Sequence, residues 1–321
     1  MSGVETPLAR APTTNSQRFL NLNESRANHW ASKMPNDSVT ILAMQPFRDS
    51  PSEGQEIVRE MPSKLQLDSL LVVKSFVATI LVFSISVVKA AGPSVSIYPL
   101  VGSVYVAEDS HYAKTNYAVY IGAASVTVVG AGWSPDTAES LAQEIRKVTN
   151  KPISDVILPD HDPEYAGGSA YWKRIGANIV ATELTEQTLK RDWAEAGDFT
   201  RKYFPTYPSL LLVLPTKTYK ADFKLENGDI RGLYLGPSHN ADDIFVYFPK
   251  EKVLYAGSIL KEHLGNLAFA NLEEYPRTLQ KLRQLHLEID KIISGHWSAV
   301  HGPELIDQYG AMLKEHTETG H

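Results

Sequence analysis

The 321-residue chain has no cysteine. That absence excludes disulfide bridges, thiolate metal ligands and a cysteine nucleophile, and it leaves the compartment open, because a disulfide-free protein can be secreted or cytosolic. There is no GxGxxG or Walker motif to cradle phosphates. Positive charge is not in excess: 31 Lys and Arg against 37 Asp and Glu give a formal net charge of -6, which points away from nucleic acid and from anionic membrane surfaces as partners. The sequence also lacks short-period repeats. What is there is ordinary for a globular chain, with 43% hydrophobic and 21% charged residues.

One segment departs from that background. From Leu67 to Val88 the chain reads LDSLLVVKSFVATILVFSISVV, followed by Lys-Ala-Ala-Gly. The stretch Phe76–Val88 carries no charge and has the length of a signal-peptide core rather than of a membrane span, which needs about 20 apolar residues. Lys64 and Lys74 lie on its N-terminal side, and Val88 and Ala90 are small residues placed as before a signal-peptidase cut. Residues 61–91 are therefore expected to be an export signal cleaved near Ala90 or Ala91, with an uncleaved signal anchor as the alternative. The implied location is periplasmic or secreted, or membrane-anchored on the alternative. Residues 1–60 are rich in Pro, Ser, Asn and Arg and read as a disordered leader, or as an extension upstream of a true start at Met61.

From Val95 onward the pattern is strand-rich. VSIYPLVGSVYVAED, NYAVYIGAASVTVVGAG and ISDVILPD are β-branched and aromatic runs broken by Gly, Asn and Pro. Between the last two, SPDTAESLAQEIRKVTNK places Ala138, Leu141, Ala142, Ile145 and Val148 at helical spacing behind a Ser134 or Asp136 cap. A short helix, a strand at Ala177–Thr182 and a longer helix follow. Residues 210–236 and 243–259 read as a second set of strands, with Asn227-Gly228 and Pro249–Lys252 as hairpin turns. Helix NLEEYPRTLQKLRQLH, strand KIISGH and a final helix with Pro303 in its first turn complete the chain. This order predicts an α/β (α+β) architecture over residues 94–316. Two mostly antiparallel, mixed sheets would pack face to face with helices on the outside, an αββα sandwich.

Polar residues collect where strands end. ISDVIL runs into Asp160-His161-Asp162-Pro163-Glu164-Tyr165 and then Ala-Gly-Gly; GLYLG runs into Pro237-Ser238-His239; VLYAG ends at Ser258; KIISG ends at His296. Loops held by a rigid sheet are where binding and catalytic groups concentrate.

The segments GWSPDTA, AGGSAYWKRIGA, LKRDWAE, GPSHNADDIFVYFP, VLYAGSILKEHLGN, YPRTL and SGHWSAVHGPELIDQY carry a resemblance to the metallo-β-lactamases. It is closest to the mono-zinc, carbapenem-hydrolysing subclass and extends over roughly residues 94–314. The family's zinc-binding Asp falls on Glu164, its Cys on Ser258 and its His on His296. The His of the alternative metal site falls on His239, and Asp160 and Asp162 occupy the places of two histidines in the broader superfamily. The lysine that holds the substrate carboxylate falls on Lys261, and a substrate-contacting asparagine on Asn266. Where that subclass has Asn-Tyr-His-Thr-Asp-Arg, this chain has Asp160 to Tyr165.

The resemblance implies a metal-dependent hydrolase that opens a β-lactam amide, with Glu164 or Asp162 as general base. Asp160, Asp162, Glu164, His239, Ser258 and His296 would hold one or two zinc ions or another divalent metal, and Lys261 and Asn266 would hold a β-lactam-like small molecule. Ser258 is a neutral, poor ligand, and Glu164 is one methylene longer than Asp, so the usual zinc site is expected to be weakened. The alternative is a family member that binds a ligand without turnover. No nucleic-acid partner is expected, and the protein is expected to be a monomer. His161 is expected to point away from the metal, and His301 to be a structural hydrogen-bonding residue.

Overall fold

The computed structural model describes residues 95–319; the expected leader and export signal, residues 1–91, lie outside the described residues. Seven strands form the first sheet: β1 (Val95–Val101), β2 (Val104–Asp109), β3 (Thr115–Ile121), β4 (Val126–Val129), β5 (Ile153–Ile157), β6 (Asn178–Thr182) and β7 (Lys217–Tyr219), in that spatial order. β1 to β4 pair antiparallel, and β4 to β7 pair parallel. This sheet is thus half parallel rather than mostly antiparallel. The parallel half follows from crossover helices between its strands, because two parallel neighbours cannot be joined by a tight hairpin.

Those helices are α1 (Pro135–Val148), α2 (Pro163–Ala166), α3 (Ser169–Arg174) and α4 (Glu183–Tyr203). α1 starts where its sequence says it should. The Thr137 N–H donates to Ser134 Oγ and the Ser134 N–H to Thr137 Oγ1, a reciprocal cap, with Pro135 in the first turn. Its buried face is Ala138, Leu141, Ala142 and Ile145.

The second sheet has the order β13 (Val300–His301), β12 (Lys291–Ser294), β11 (Val253–Gly257), β10 (Phe245–Phe248), β9 (Ile230–Leu233) and β8 (Phe223–Leu225). Alternation along its strands makes two cores. Val246 and Phe248 of β10 and Val253 and Tyr255 of β11 face the first sheet, and the Tyr120 and Phe248 rings stack across the interface. Phe245, Tyr247, Leu254 and Ala256 face outward onto α5 (Tyr275–Gln284) and α6 (Leu305–Thr319). The layers are therefore helix, sheet, sheet, helix, as the order of elements predicts.

Two local expectations shift. The strand expected to begin at Leu210 pairs only from Lys217, and Leu211 is 91% exposed. Pro208 and Pro215 bracket that run, and proline offers no N–H to a ladder. The turn at Asn227-Gly228 is a hairpin, but a wider one: a 3-10 turn over Glu226–Gly228 joins β8 to β9, with Glu226 and Asn227 also at positive φ. Among the described residues no helix is long and apolar enough to cross a membrane.

Candidate functional site

The acidic loop leaves β5 and is turned back by α2. Asp160 is buried, and its Oδ1 accepts the N–H of Asp162 at 2.7 Å, closing an Asx turn. Gly167 and Gly168 then let α2 press onto the end of β4. A Cβ on Gly167 would stand 2.0 Å from the Trp133 carbonyl oxygen, and one on Gly168 1.9 Å from that of Ala131. Ser258 follows Gly257, whose φ is +50°, and is 1% exposed. His296 follows Gly295, where a Cβ would lie 2.1 Å from the Tyr165 hydroxyl. Glycine at these points brings three loops closer together than side chains would permit.

The loops converge on His296 Nε2, which has Glu164 Oε1 at 3.3 Å and Ser258 Oγ at 3.4 Å. The other ring nitrogen, Nδ1, lies 3.0 Å from the Lys114 carbonyl oxygen. That oxygen can only accept, so Nδ1 carries a proton and Nε2 is the ring atom that faces Glu164 and Ser258. Asn116 fixes this edge: its N–H donates to the Gly295 carbonyl at 2.7 Å, beside the Thr115–His296 bridge. Tyr165 is fully buried with its hydroxyl 3.2 Å from Ser258 Oγ, so it packs under the site rather than facing a substrate.

The remaining predicted residues are near but differently engaged. Asp162 Oδ2 accepts from Asn240 Nδ2 at 2.7 Å. Burial, then the charge of Glu164, pushes the Asp162 carboxyl up to about 6, against the pull of His161 and Asn240. Asp160 is raised well above the usual range by burial and by the charges of Asp162, Asp243, Asp242 and Glu164. His239 Nδ1 faces Lys261 Nζ at 3.4 Å. Burial and that ammonium hold the imidazole well below its ordinary value, which keeps it neutral. Lys261 is 2% exposed. Burial lowers it to about 8, while the charges of Asp243, Glu164, Asp162 and Asp160 resist the loss of its proton. Asn266 accepts the Ala268 N–H at 2.9 Å and is half-buried at the same loop.

Two buried carboxylates of this region, Asp242 and Asp243, are not among the site residues singled out by sequence. Asp242 Oδ1 pairs with His161 Nδ1 at 2.8 Å. Burial opposes the charged ring, but the Asp242 hydrogen bond and the charges of Asp242, Asp162 and Asp192 outweigh it and lift His161 to about 9. His161 thus pairs with Asp242 of the loop between β9 and β10, and its Nε2 lies 3.9 Å from Asp162 Oδ1. Asp243 Oδ2 accepts from Ser238 Oγ at 2.7 Å and from the Asn240 N–H at 2.6 Å; burial raises it to about 7. The run His-Asn-Ala-Asp-Asp ahead of an apolar strand was the available signal. His301 has its Nε2 2.8 Å from the Ser298 carbonyl oxygen, the structural role expected of it.

For a divalent cation the donor set divides in two. Four nitrogen or oxygen donors about 2.0–2.1 Å from a tetrahedral cation stand about 3.3–3.4 Å apart, and the spacings from His296 Nε2 to Glu164 and Ser258 match two such edges. The same spacings are those of an ion-pair contact between His296 and Glu164 and a long hydrogen-bond contact with Ser258, whose hydroxyl would be a weak ligand. Asp160, Asp162 and His239 do not fit in the same way: the carboxylates accept from their own backbone and from Asn240, and His239 faces an ammonium. Among the described residues, no group of three or more His, Asp or Glu side chains is gathered to hold a metal ion.

Comparison with known proteins places this architecture. Metallo-beta-lactamase type 2 of Elizabethkingia meningoseptica is 27% identical over 233 residues, covering 68% of this chain and 87% of the relative. Metallo-beta-lactamase IND-1 of Chryseobacterium indologenes is 28% identical over 178 residues, covering 53% and 66%. The metallo-beta-lactamase structure from Pontibacter korlensis superposes with a TM-score of 0.60 at 19% identity, covering 69% of this chain and 99% of that one, which speaks for the fold. Residues 113–296 match the metallo-beta-lactamase superfamily, and the chain belongs to that superfamily.

Proposed function

We propose that the protein is a metal-dependent hydrolase that opens a β-lactam or similar cyclic amide. The observation that carries the reading is the convergence of Glu164 Oε1 and Ser258 Oγ on His296 Nε2, at 3.3 and 3.4 Å. Glu164, His296 and Ser258 would hold the cation, with zinc the first choice of metal and other divalent ions compatible with oxygen donors. A cation there would supply Lewis acidity toward the substrate carbonyl and lower the pKa of an attacking water.

The chain's own residues then divide the work. Asp162, raised to about 6 and steadied by Asn240, is ionised at neutral pH yet basic enough to accept a proton from water, the balance a general base needs. Glu164 is the second carboxylate able to take that role. Lys261 presents a buried ammonium to a substrate carboxylate, desolvated and so stronger than at the surface. Asn266 orients the same end of the substrate. Asp160 shapes the loop through its Asx turn, and His239, held neutral by Lys261, keeps the ammonium in place as an acceptor. The expected export signal would deliver the domain, as a monomer, to the periplasm or the exterior.

The test is metal analysis of the purified protein, then hydrolysis of imipenem and nitrocefin with and without chelator. Turnover that chelator abolishes and zinc restores supports the reading. A second reading, ligand binding without turnover, is favoured by the thinness of the donor set; binding of either compound with no hydrolysis at added zinc would establish it instead.

A further inference from the structure

Asn116 stands where the pattern of its strand calls for an apolar side chain. Along β3 it shares with Ala118 and Tyr120 the face turned to the second sheet, where the Tyr120 ring stacks on Phe248. Asn116 is fully buried, and its Oδ1 has no hydrogen-bond partner among the described residues. An orphaned buried acceptor is a net cost, which an apolar residue of the same shape would spare the fold. The use of the amide therefore lies in its donors.

Those donors all reach one loop. Nδ2 donates to the Ser294 carbonyl at 2.9 Å and, more loosely, to that of Trp297 at 3.4 Å, while the backbone N–H donates to the Gly295 carbonyl at 2.7 Å. Asn116 thus holds three of the four carbonyls from Ser294 to Trp297. The fourth, that of His296, accepts from Ser294 Oγ at 3.3 Å. Trp297 has a φ of +55°, a left-handed backbone that bulky side chains avoid, so the loop would not keep this path unaided. Asn116 is itself fixed from the second sheet, because the Tyr255 hydroxyl donates to its carbonyl at 3.0 Å. Two residues earlier, the Lys114 carbonyl meets His296 Nδ1 at 3.0 Å. Residues 114–116 therefore grip the loop on both sides of His296 and receive its ring.

We infer that Asn116 is a positioning residue of the candidate site: by holding the loop before and after His296, its side chain seats Nδ1 on the Lys114 carbonyl and commits Nε2 to the side of Glu164 and Ser258. That Nε2 then serves a cation rests on the proposed metal-dependent reading; the seating of the ring does not. Partners that keep a ligating imidazole in one orientation are worth about 10- to 100-fold in metal affinity.

The seating is read without metal, from long-range nitrogen–proton NMR correlations of the imidazoles at a pH where the His296 ring is neutral, with His296→Gln to assign its signals. Wild type should show Nδ1 protonated and Nε2 bare. Asn116→Ala removes both Nδ2 bonds and keeps the backbone bond. It should show a mixture of the two tautomers, and its zinc affinity, measured by competition with a chelating dye, should fall about tenfold. Asn116→Ser, which can restore one donor, should lie between, and it replaces the alanine variant if that one does not fold. Tyr247→Phe loses a hydrogen bond to the Glu288 carbonyl in the outer core and should match wild type in both readouts, which separates seating from general loosening. A wild type protonated at Nε2, a folded Asn116 variant with the wild-type tautomer, or the same shift in Tyr247→Phe overturns the inference. A seated ring in a wild type that binds no zinc overturns the metal-dependent reading alone.

Discussion

Replacing Asp242 by asparagine should remove a pH-dependent block of stability. In the folded protein His161 has Asp242 Oδ1 at 2.8 Å from Nδ1 and titrates at about 9 instead of 6.5. The difference corresponds to about 3 kcal/mol in favour of the folded state when the ring is protonated. A raised histidine pKa contributes fully below the unfolded value, near pH 6.5, declines as pH climbs from there, and is gone above about 9. Asp242→Asn keeps the shape and a hydrogen bond but not the charge. Urea unfolding of both proteins at pH values from 6 to 10 reads the effect. The wild type should exceed the variant by about 3 kcal/mol near pH 6, and the gap should close by about pH 10. It should even reverse there, because Asp242 also raises Asp160, Asp162 and Asp243, and the variant is spared that repulsion once they ionise. His161→Gln should show the same loss near pH 6, and the double variant should lose no more than either single one. A gap of equal size at both ends of the range would refute the ion pair as its source.

Ser258→Cys should tighten zinc binding at least about tenfold, since a thiolate replaces a neutral hydroxyl beside His296 Nε2; competition with a chromogenic chelator measures it, and unchanged affinity would remove residue 258 from the cation site. Lys261→Ala should raise KM about ten- to a hundredfold with kcat little altered, by loss of the carboxylate contact; a fall in kcat at constant KM would contradict that role. Gly168→Ala should cost more than about 3 kcal/mol or prevent folding, because its Cβ would sit 1.9 Å from the Ala131 oxygen; a thermal midpoint within a few degrees of wild type would show that α2 can withdraw from β4.

The layering was legible because it is written in short-range signals. The helical spacing of Ala138, Leu141, Ala142 and Ile145 and the Ser134 cap fix a face and an end within a few residues, whereas the two faces of Phe245–Phe248, apolar throughout, are separated only by the fold. The Leu210–Leu214 run misled because strand propensity says nothing about a partner, and the flanking prolines left it without one. In the site, the four strand ends were readable as places where chemistry gathers. Which oxygen faces which nitrogen was not. Glu164 reaching His296 while Asp162 turns to Asn240 depends on an Asx turn and on two glycines pressing against β4. The Lys114 carbonyl that orients His296 is a backbone atom with no side-chain signature at all, and the burial of Asp242 comes only from the fold closing over it.

That carbonyl lies 182 residues before the imidazole it orients. Closing so long a span comes late in folding, since the entropy of joining distant segments is met only after nearer contacts have formed. During synthesis the first sheet can assemble with Asp160, Asp162 and Glu164 in place while His296 has yet to emerge. The nascent chain thus carries its carboxylates without the nitrogen donor that completes the set. On the proposed reading, competence to bind a cation would come late in assembly, and a chain clipped before β12 would lack His296 altogether.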